Sequence, residues 1–214
     1  MNRFILVCAI VLAMCVRVTS ANDKPLSNQE MRSLVKALVS PNPEPKIGGS
    51  QAEYPAKYDH EAQDRVLDAW FKLQECGAAA FPILLDSLDD DRYSFTEDGG
   101  ALDRNWTVGE ACRDMIDLEL QPFRTYYRFK DDDGPRIPRY IYHFKLDTPD
   151  GAKKWWKTHK DKTLRELQIE VLEWVIADLP KEKAYAEIRT KLERDLAKLR
   201  AGKEPLEPNV PWSR

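Results

Sequence analysis

Histidine is almost missing from this 214-residue chain, with three copies, and cysteine is scarce, with four. His60, His143 and His159 are not paired at helical ligand spacing, and no His-Glu-x-x-His motif occurs, which excludes the familiar zinc-hydrolase helix. The glycines form no phosphate-cradling loop, and no Gly-x-Ser-x-Gly turn presents a serine nucleophile. Each histidine reads as a surface residue, His60 at a helix start and His159 near a helix end, where the dipole favours a cation. Past the first 21 residues the cysteines are Cys76 and Cys112, which share no Cys-x-x-Cys motif, so structural zinc is not expected. No metal and no cofactor is called for. Spacing cannot select a glycosidase-type pair from 36 acidic residues, so catalysis has no positive support.

Long apolar runs are absent beyond the first segment. Residues 1–3 carry one positive charge, residues 4–16 are apolar, and Val18, Thr19, Ser20 and Ala21 offer small residues for cleavage. This is the pattern of a secretory signal, and its apolar stretch falls short of the roughly 20 residues a spanning helix needs. Cleavage after Ser20 or Ala21 is expected. Leu12-Ala13-Met14-Cys15 resembles a lipobox, but Met14 stands where Gly, Ala or Ser belongs, so lipid anchoring is the lesser alternative. Without Arg3 and Arg17, 31 basic side chains face 36 acidic ones, a net charge of −5. That balance argues against nucleic-acid binding, which favours strongly basic domains.

What is present is an echo. Residues 61–120 contain one helical pattern twice at an offset of 42 residues: Val66 matches Val108, Ala69 matches Ala111, Leu73 matches Met115 and Glu61 matches Asp103. Within it, residues 61–76 put Val66, Ala69, Trp70 and Leu73 on one helix face. Gly77 supplies a left-handed cap, and residues 78–88 form a partner helix with Phe81, Leu84, Leu85 and Leu88 inward and Pro82 in its first turn. The same offset sets Cys112 against Trp70, which leaves Cys76 about 9 Å away along stacked helices. Disulfide Cα atoms lie within about 7 Å, so two buried free thiols are expected.

The stretch RVLDAWFKLQECGAAAFPILLDSLDD resembles HEAT and armadillo-type helical repeats, with a helix, a Gly turn, Ala-x-x-x-Pro-x-Leu and an acidic turn. DRNWTVGEACRDMI resembles the start of a second unit. The layout is also similar to secreted bacterial proteins, a likeness that brings no function with it. Leu67 and Gly109 depart from the family, which usually carries Arg there. No third copy follows, so the resemblance implies a short core that needs caps from both flanks. What it implies about function is a binding surface.

The flanks read clearly at several points. Ser27 with Glu30, and Thr163 with Glu166, are capping boxes that open helices. Pro41, Pro43 and Pro45 end the first, and the stretch to Tyr58 reads as a long loop. Residues 126–130 and 139–145 are aromatic-basic runs, and Tyr140, Tyr142 and Phe144 alternate with polar residues as in a strand. Asp133-Gly134 suits a hairpin turn between them, although Pro135 and Pro138 oppose it. Thr148-Pro149 opens a helix through Trp155 and Trp156, and Pro180 ends the helix begun at Thr163. Ala184, Ile188, Leu192, Leu196 and Leu199 form a stripe on a last helix that stops before Gly202.

The expected architecture is therefore mostly α: a short HEAT-like superhelical core at 61–120, a helical cap at 123–201 and a small β-hairpin. One domain spans 22–204, preceded by the 1–21 signal and followed by a flexible tail, 205–214. The insertion at 89–105 is the leading binding candidate, since insertions in repeat proteins cluster on one face, and Asp89, Asp90 and Asp91 oppose a helix dipole. Its binding candidates are Asp90, Asp91, Arg92, Tyr93 and Asp98. The plainer reading is a solvated acidic turn with Arg92 or Arg104 pairing locally. Asn105-Trp106-Thr107 matches a glycosylation sequon, but Thr107 reads better as an N-cap with Glu110. Trp155 and Trp156, amid lysines, suit a platform for a glycan or anionic polymer; alternatively Trp156 and a neighbour pack inward. The function expected is non-catalytic, extracytoplasmic binding of a protein or envelope polymer. Its rivals are an enzyme acting on cell-wall material and a structural protein pairing through its last helix.

Overall fold

A computed structural model describes residues 25–49, 51–97, 103–123 and 137–207. The architecture is mostly α, with two small antiparallel hairpins among the described residues. The proposed signal, Asp98, most of the residue 126–145 hairpin and the last seven residues lie outside the described residues.

Helix α1 (Asn28–Ala37) starts at the Ser27 capping box, in which the Glu30 carboxylate accepts from the Ser27 amide at 2.7 Å. The proline-rich stretch after it is more ordered than a loop. Strands β1 (Lys46–Gly48) and β2 (Gln51–Glu53) pair with Ile47 opposite Ala52, and Gly49 turns between them at φ +67°. Asn42 anchors this stretch from 17 residues away: its side-chain amide donates to the Asp59 carbonyl, and its side-chain oxygen accepts from the Asp59 amide, both at 2.8 Å. Asp59 in turn caps α2 (His60–Glu75).

Gly77 has φ +54° and closes α2 in the left-handed conformation that L side chains avoid. The partner helix is shorter than its sequence suggests, a 3₁₀ turn at Gly77–Ala80 followed by α3 (Phe81–Leu85). Then come β3 (Tyr93–Glu97), β4 (Arg104–Thr107) and α4 (Val108–Leu120). The apolar positions matched by the 42-residue echo are buried: Val66, Ala69, Trp70 and Leu73 on α2, and Val108, Ala111, Cys112 and Met115 on α4; the acidic pair, Glu61 and Asp103, is not. Cys76 and Cys112 are free thiols as expected, but Cys76 is only half-buried.

The strand expected around Tyr140 is instead a one-turn helix, α5 (Tyr140–His143). The reason lies upstream. The buried Gln121 side chain accepts from the Tyr140 amide (2.9 Å) and donates to the Pro138 carbonyl (3.1 Å), so these backbone groups have no need of a neighbouring strand. Tyr140 and Ile141, adjacent in sequence, are both buried, which a two-faced strand would not allow.

Helices α6 (Pro149–His159), α7 (Leu164–Asp178) and α8 (Ala186–Ala201) complete the chain. The α8 stripe at Ile188, Leu192, Leu196 and Leu199 is buried within the chain, with α8 packed on α7, so it is not free to pair with another molecule. These two helices cap each other. Arg189 of α8 donates to the Ile176 and Leu179 carbonyls at the end of α7, each at 2.7 Å. Arg165 of α7 donates to the Leu199 carbonyl near the end of α8, also at 2.7 Å. Carbonyls at helix ends have no partner within their own helix, and a cation satisfies both their lone pairs and the dipole.

Gly109, the departure from the repeat pattern, has a packing cause. A Cβ there would stand 2.5 Å from the Leu88 carbonyl oxygen, so α4 starts too close to the turn after α3 to carry a side chain. Gly109→Ala is expected to lower stability by about 1–3 kcal/mol through overpacking. Denaturant unfolding measures this, and a midpoint equal to wild type would remove the proposed close approach.

Candidate functional site

The insertion between the echoed helices is a hairpin clamped onto the start of α4. Tyr93 pairs with Thr107, Phe95 with Trp106, Thr96 with Asn105 and Glu97 with Arg104, with an irregularity between Tyr93 and Phe95. Thr107 and Glu110 form a capping box. The Val108 amide donates to the Arg92 carbonyl (2.9 Å) and the Gly109 amide to the Asp90 carbonyl (2.8 Å). The acidic turn thus supplies acceptors for amides that a helix start leaves unpartnered.

This arrangement changes the reading of the acidic cluster. Asp90 receives the Arg92 guanidinium through two contacts, at 2.9 Å and 2.5 Å. The Arg92 hydrogen bonds hold its carboxyl below the ordinary range, against the opposing effect of partial burial. Asp91 is exposed. Arg104 also pairs locally, with Glu110 at 2.6 Å. The Asn105 side-chain amide donates to the Pro45 carbonyl (2.7 Å) and to Glu44 (2.9 Å), and the Thr107 hydroxyl caps α4, so both polar ends of the sequon serve the fold.

Tyr93 faces inward. Its hydroxyl lies 2.8 Å from those of Tyr58 and Thr96, and Thr96 donates to Asn105 at 2.7 Å. Gln63 of α2 ties the same region: its amide donates to the Ser94 carbonyl (2.9 Å), while its oxygen accepts from Tyr58 (2.8 Å) and Ser40 (2.9 Å). Asp103 accepts from the Ala52 amide at 2.6 Å. Both hairpins are therefore joined to each other and to α2.

The opposite face of β3–β4 carries residues that the sequence reading passed over. Phe95 and Trp106 stack with ring centroids 5.6 Å apart and planes 14° from parallel. The Arg104 guanidinium lies 4.3 Å from the centre of the Trp106 ring, and the indole N–H donates to Glu97 at 3.2 Å. Phe95 and Trp106 are half-buried and Arg104 is exposed. Their sequence signal was the alternation from Tyr93 to Thr96 ahead of Asp98-Gly99-Gly100.

The tryptophans of α6 do not join this group. Trp155 is buried; its indole N–H donates to the Tyr140 hydroxyl at 3.1 Å, and its ring stacks on His159 at 4.5 Å. Trp156 is half-buried against Phe81, 5.9 Å away. The deeper of the two is Trp155. His159 is not a surface residue either: its side chain is 15% exposed and reaches Glu170 at 2.9 Å. Glu170 also accepts from Tyr140 (3.0 Å) and from Lys162. Burial raises the Glu170 carboxyl, but these donors outweigh it and hold the group below its ordinary range. A carboxylate with three donors is an acceptor already satisfied, and it knits α5, α6 and α7 together. Among the described residues, the exposed Phe, Trp and Tyr rings lie on and just after α5: Tyr142 is 50% exposed and Phe144 is 37% exposed.

Among the described residues, no group of three or more His, Cys, Asp and Glu side chains is arranged to hold a metal ion. Among them also, no helix is long and apolar enough to cross a membrane. No family model, curated protein or solved structure matches this chain.

Gln63→Leu should remove the donor to the Ser94 carbonyl and an acceptor of the Tyr58 and Ser40 hydroxyls, at a cost of about 1–3 kcal/mol. Hydrogen exchange should quicken at the β3–β4 amides more than at those of α7. Uniform change across both segments would argue against Gln63 as the hairpin's anchor.

Proposed function

We propose that this protein is an exported, non-catalytic binding module whose contact surface is the outer face of β3–β4. The single observation that carries the reading is the Arg104–Trp106–Phe95 ladder, with Arg104 exposed, Trp106 half-buried and Phe95 seated against the core, on a hairpin held by Gln63, Tyr58 and Asn105. Trp and Arg dominate interface hot spots, and a preorganised surface loses little entropy on binding. The expected partner is a protein or an envelope polymer, and this ladder favours a protein.

The helices serve as scaffold. Their buried echo at 42 residues supports the resemblance to HEAT-type repeats, in which paired helices present a surface. Export rests on the character of residues 1–21. The excess of acidic over basic residues speaks against nucleic acid as the partner.

The test is retention of envelope proteins by immobilised wild type and by an Arg104→Ala, Trp106→Ala double variant, with Tyr142→Ala as an off-site control. Circular dichroism checks that each remains folded. The double variant should bind its partner at least about 30-fold more weakly, the size of one hot spot. Equal retention by wild type and the double variant, or no retention by wild type, overturns the assignment.

A further inference from the structure

The last turns of α4 read Met115, Ile116, Asp117, Leu118, Glu119 and Leu120, and all six are buried. An amphipathic surface helix keeps one face for solvent; this helix end has none. Asp117 and Glu119 therefore both carry carboxyls into the interior. Two residues apart on a helix, they point about 200° from each other and meet different surroundings. Asp117 faces Arg139, whose guanidinium donates to it at 2.5 Å. Glu119 has no such cation among the described residues.

Glu119 stands where four segments meet. A Cβ added to Gly77, at the end of α2, would lie 3.7 Å from its carboxylate oxygen and 4.0 Å from Leu164, the first residue of α7. The amide of Gln74 lies beside it and favours its ionised form. Its own carbonyl accepts from Gln168 of α7 at 2.8 Å, and Gln168 exchanges two further hydrogen bonds with Leu206, at 3.0 and 2.7 Å. Residues 205–207, assigned to a flexible tail from sequence, are thus tied to the same joint.

The charged groups of these segments are turned elsewhere. On α2, Lys72 and Glu75 are exposed, and the Cys76 thiol donates to the Lys72 carbonyl. On α7, Arg165 holds the Leu199 carbonyl and Glu166 caps Thr163. On α4, Arg113 pairs with Glu110. In the C-terminal segment, Lys203, Glu204 and Glu207 are exposed. Burial, opposed only by Gln74, pushes the Glu119 carboxyl up to about 7. The negative end of the helix dipole disfavours a charge there as well.

We propose that this joint is a proton-operated latch. With Glu119 neutral, the end of α4 closes against α2, α7 and residues 205–207; loss of the proton loosens that contact. The direction follows from linkage. The folded protein holds the proton at pH values where the unfolded chain, near the ordinary 4.5, has already lost it. The Glu119 contribution to stability is therefore fully present below that ordinary value, falls as pH rises towards about 7 and is constant above it. The latch acts on how firmly α7, α8 and the C-terminal segment are held, independently of the ladder on β3–β4.

Hydrogen exchange of the full chain at pH 6 and pH 8, corrected for the intrinsic rate, tests this. Amides of residues 74–80, 117–121 and 164–170 should open up to about tenfold more at pH 8, relative to α1 as reference. Glu119→Gln, neutral at both pH values, should abolish the difference. A wild type without the change, or a Glu119→Gln protein that keeps it, overturns the proposal. Should that variant fail to fold, carboxyl-carbon NMR of wild type decides: a Glu119 midpoint near 7 supports the latch, and one near 4.5 removes it.

Discussion

A helix whose ends are enclosed must have its polar groups answered by the protein, because water cannot reach them. Helix α4 imposes that constraint here, and much of the structure is arranged to meet it. At its start, the Thr107–Glu110 box and the carbonyls of Asp90 and Arg92 take up its free amides. At its end, the Glu119 carbonyl goes to Gln168, and the Gln121 side chain binds backbone on both sides of Arg139. The acidic turn, the hairpin and α5 each take their form from one of these contacts.

The same logic governs the C-terminal pair. Helices α7 and α8 exchange arginines across their ends, and Glu170 draws Tyr140, His159 and Lys162 together. These contacts join α5, α6 and α7 through one carboxylate. What distinguishes them is saturation: the carboxylate already has its donors. Glu119 differs from Glu170 for this reason. Glu170 lies on α7 and Glu119 at the end of α4 beside it, but the donors around Glu170 favour its charge, whereas burial around Glu119 opposes it.

Local rules were readable wherever the partner lies within a turn. Ser27 with Glu30, Thr107 with Glu110 and Thr163 with Glu166 each bind three residues on, and all three boxes form. Gly77 takes the left-handed cap for an equally local reason. The proline-rich stretch looked like a loop because Asn42 finds Asp59 17 residues away, beyond any local pattern. Trp155 and Trp156 are adjacent and chemically alike. Only the arrival of Tyr140 over one and Phe81 beside the other assigned their depths. The insertion sorts itself in the same way: Asp90 and Arg92 close on each other, Tyr93 turns inward, and Phe95, Arg104 and Trp106 stack on the other face.

The amino-acid sequence by itself determined the mostly α class, the places where its capped helices begin and the apolar faces they would bury. Hydrogen bonds over three or four residues and helical periodicity need no knowledge of the rest of the chain. Tertiary structure alone decided that the acidic insertion becomes a hairpin, that the α8 stripe is covered from within and that Glu119 meets no cation among the described residues. Each of these depends on which distant segment excludes water from a given side chain, and desolvation is a property of the packed molecule rather than of any stretch of it.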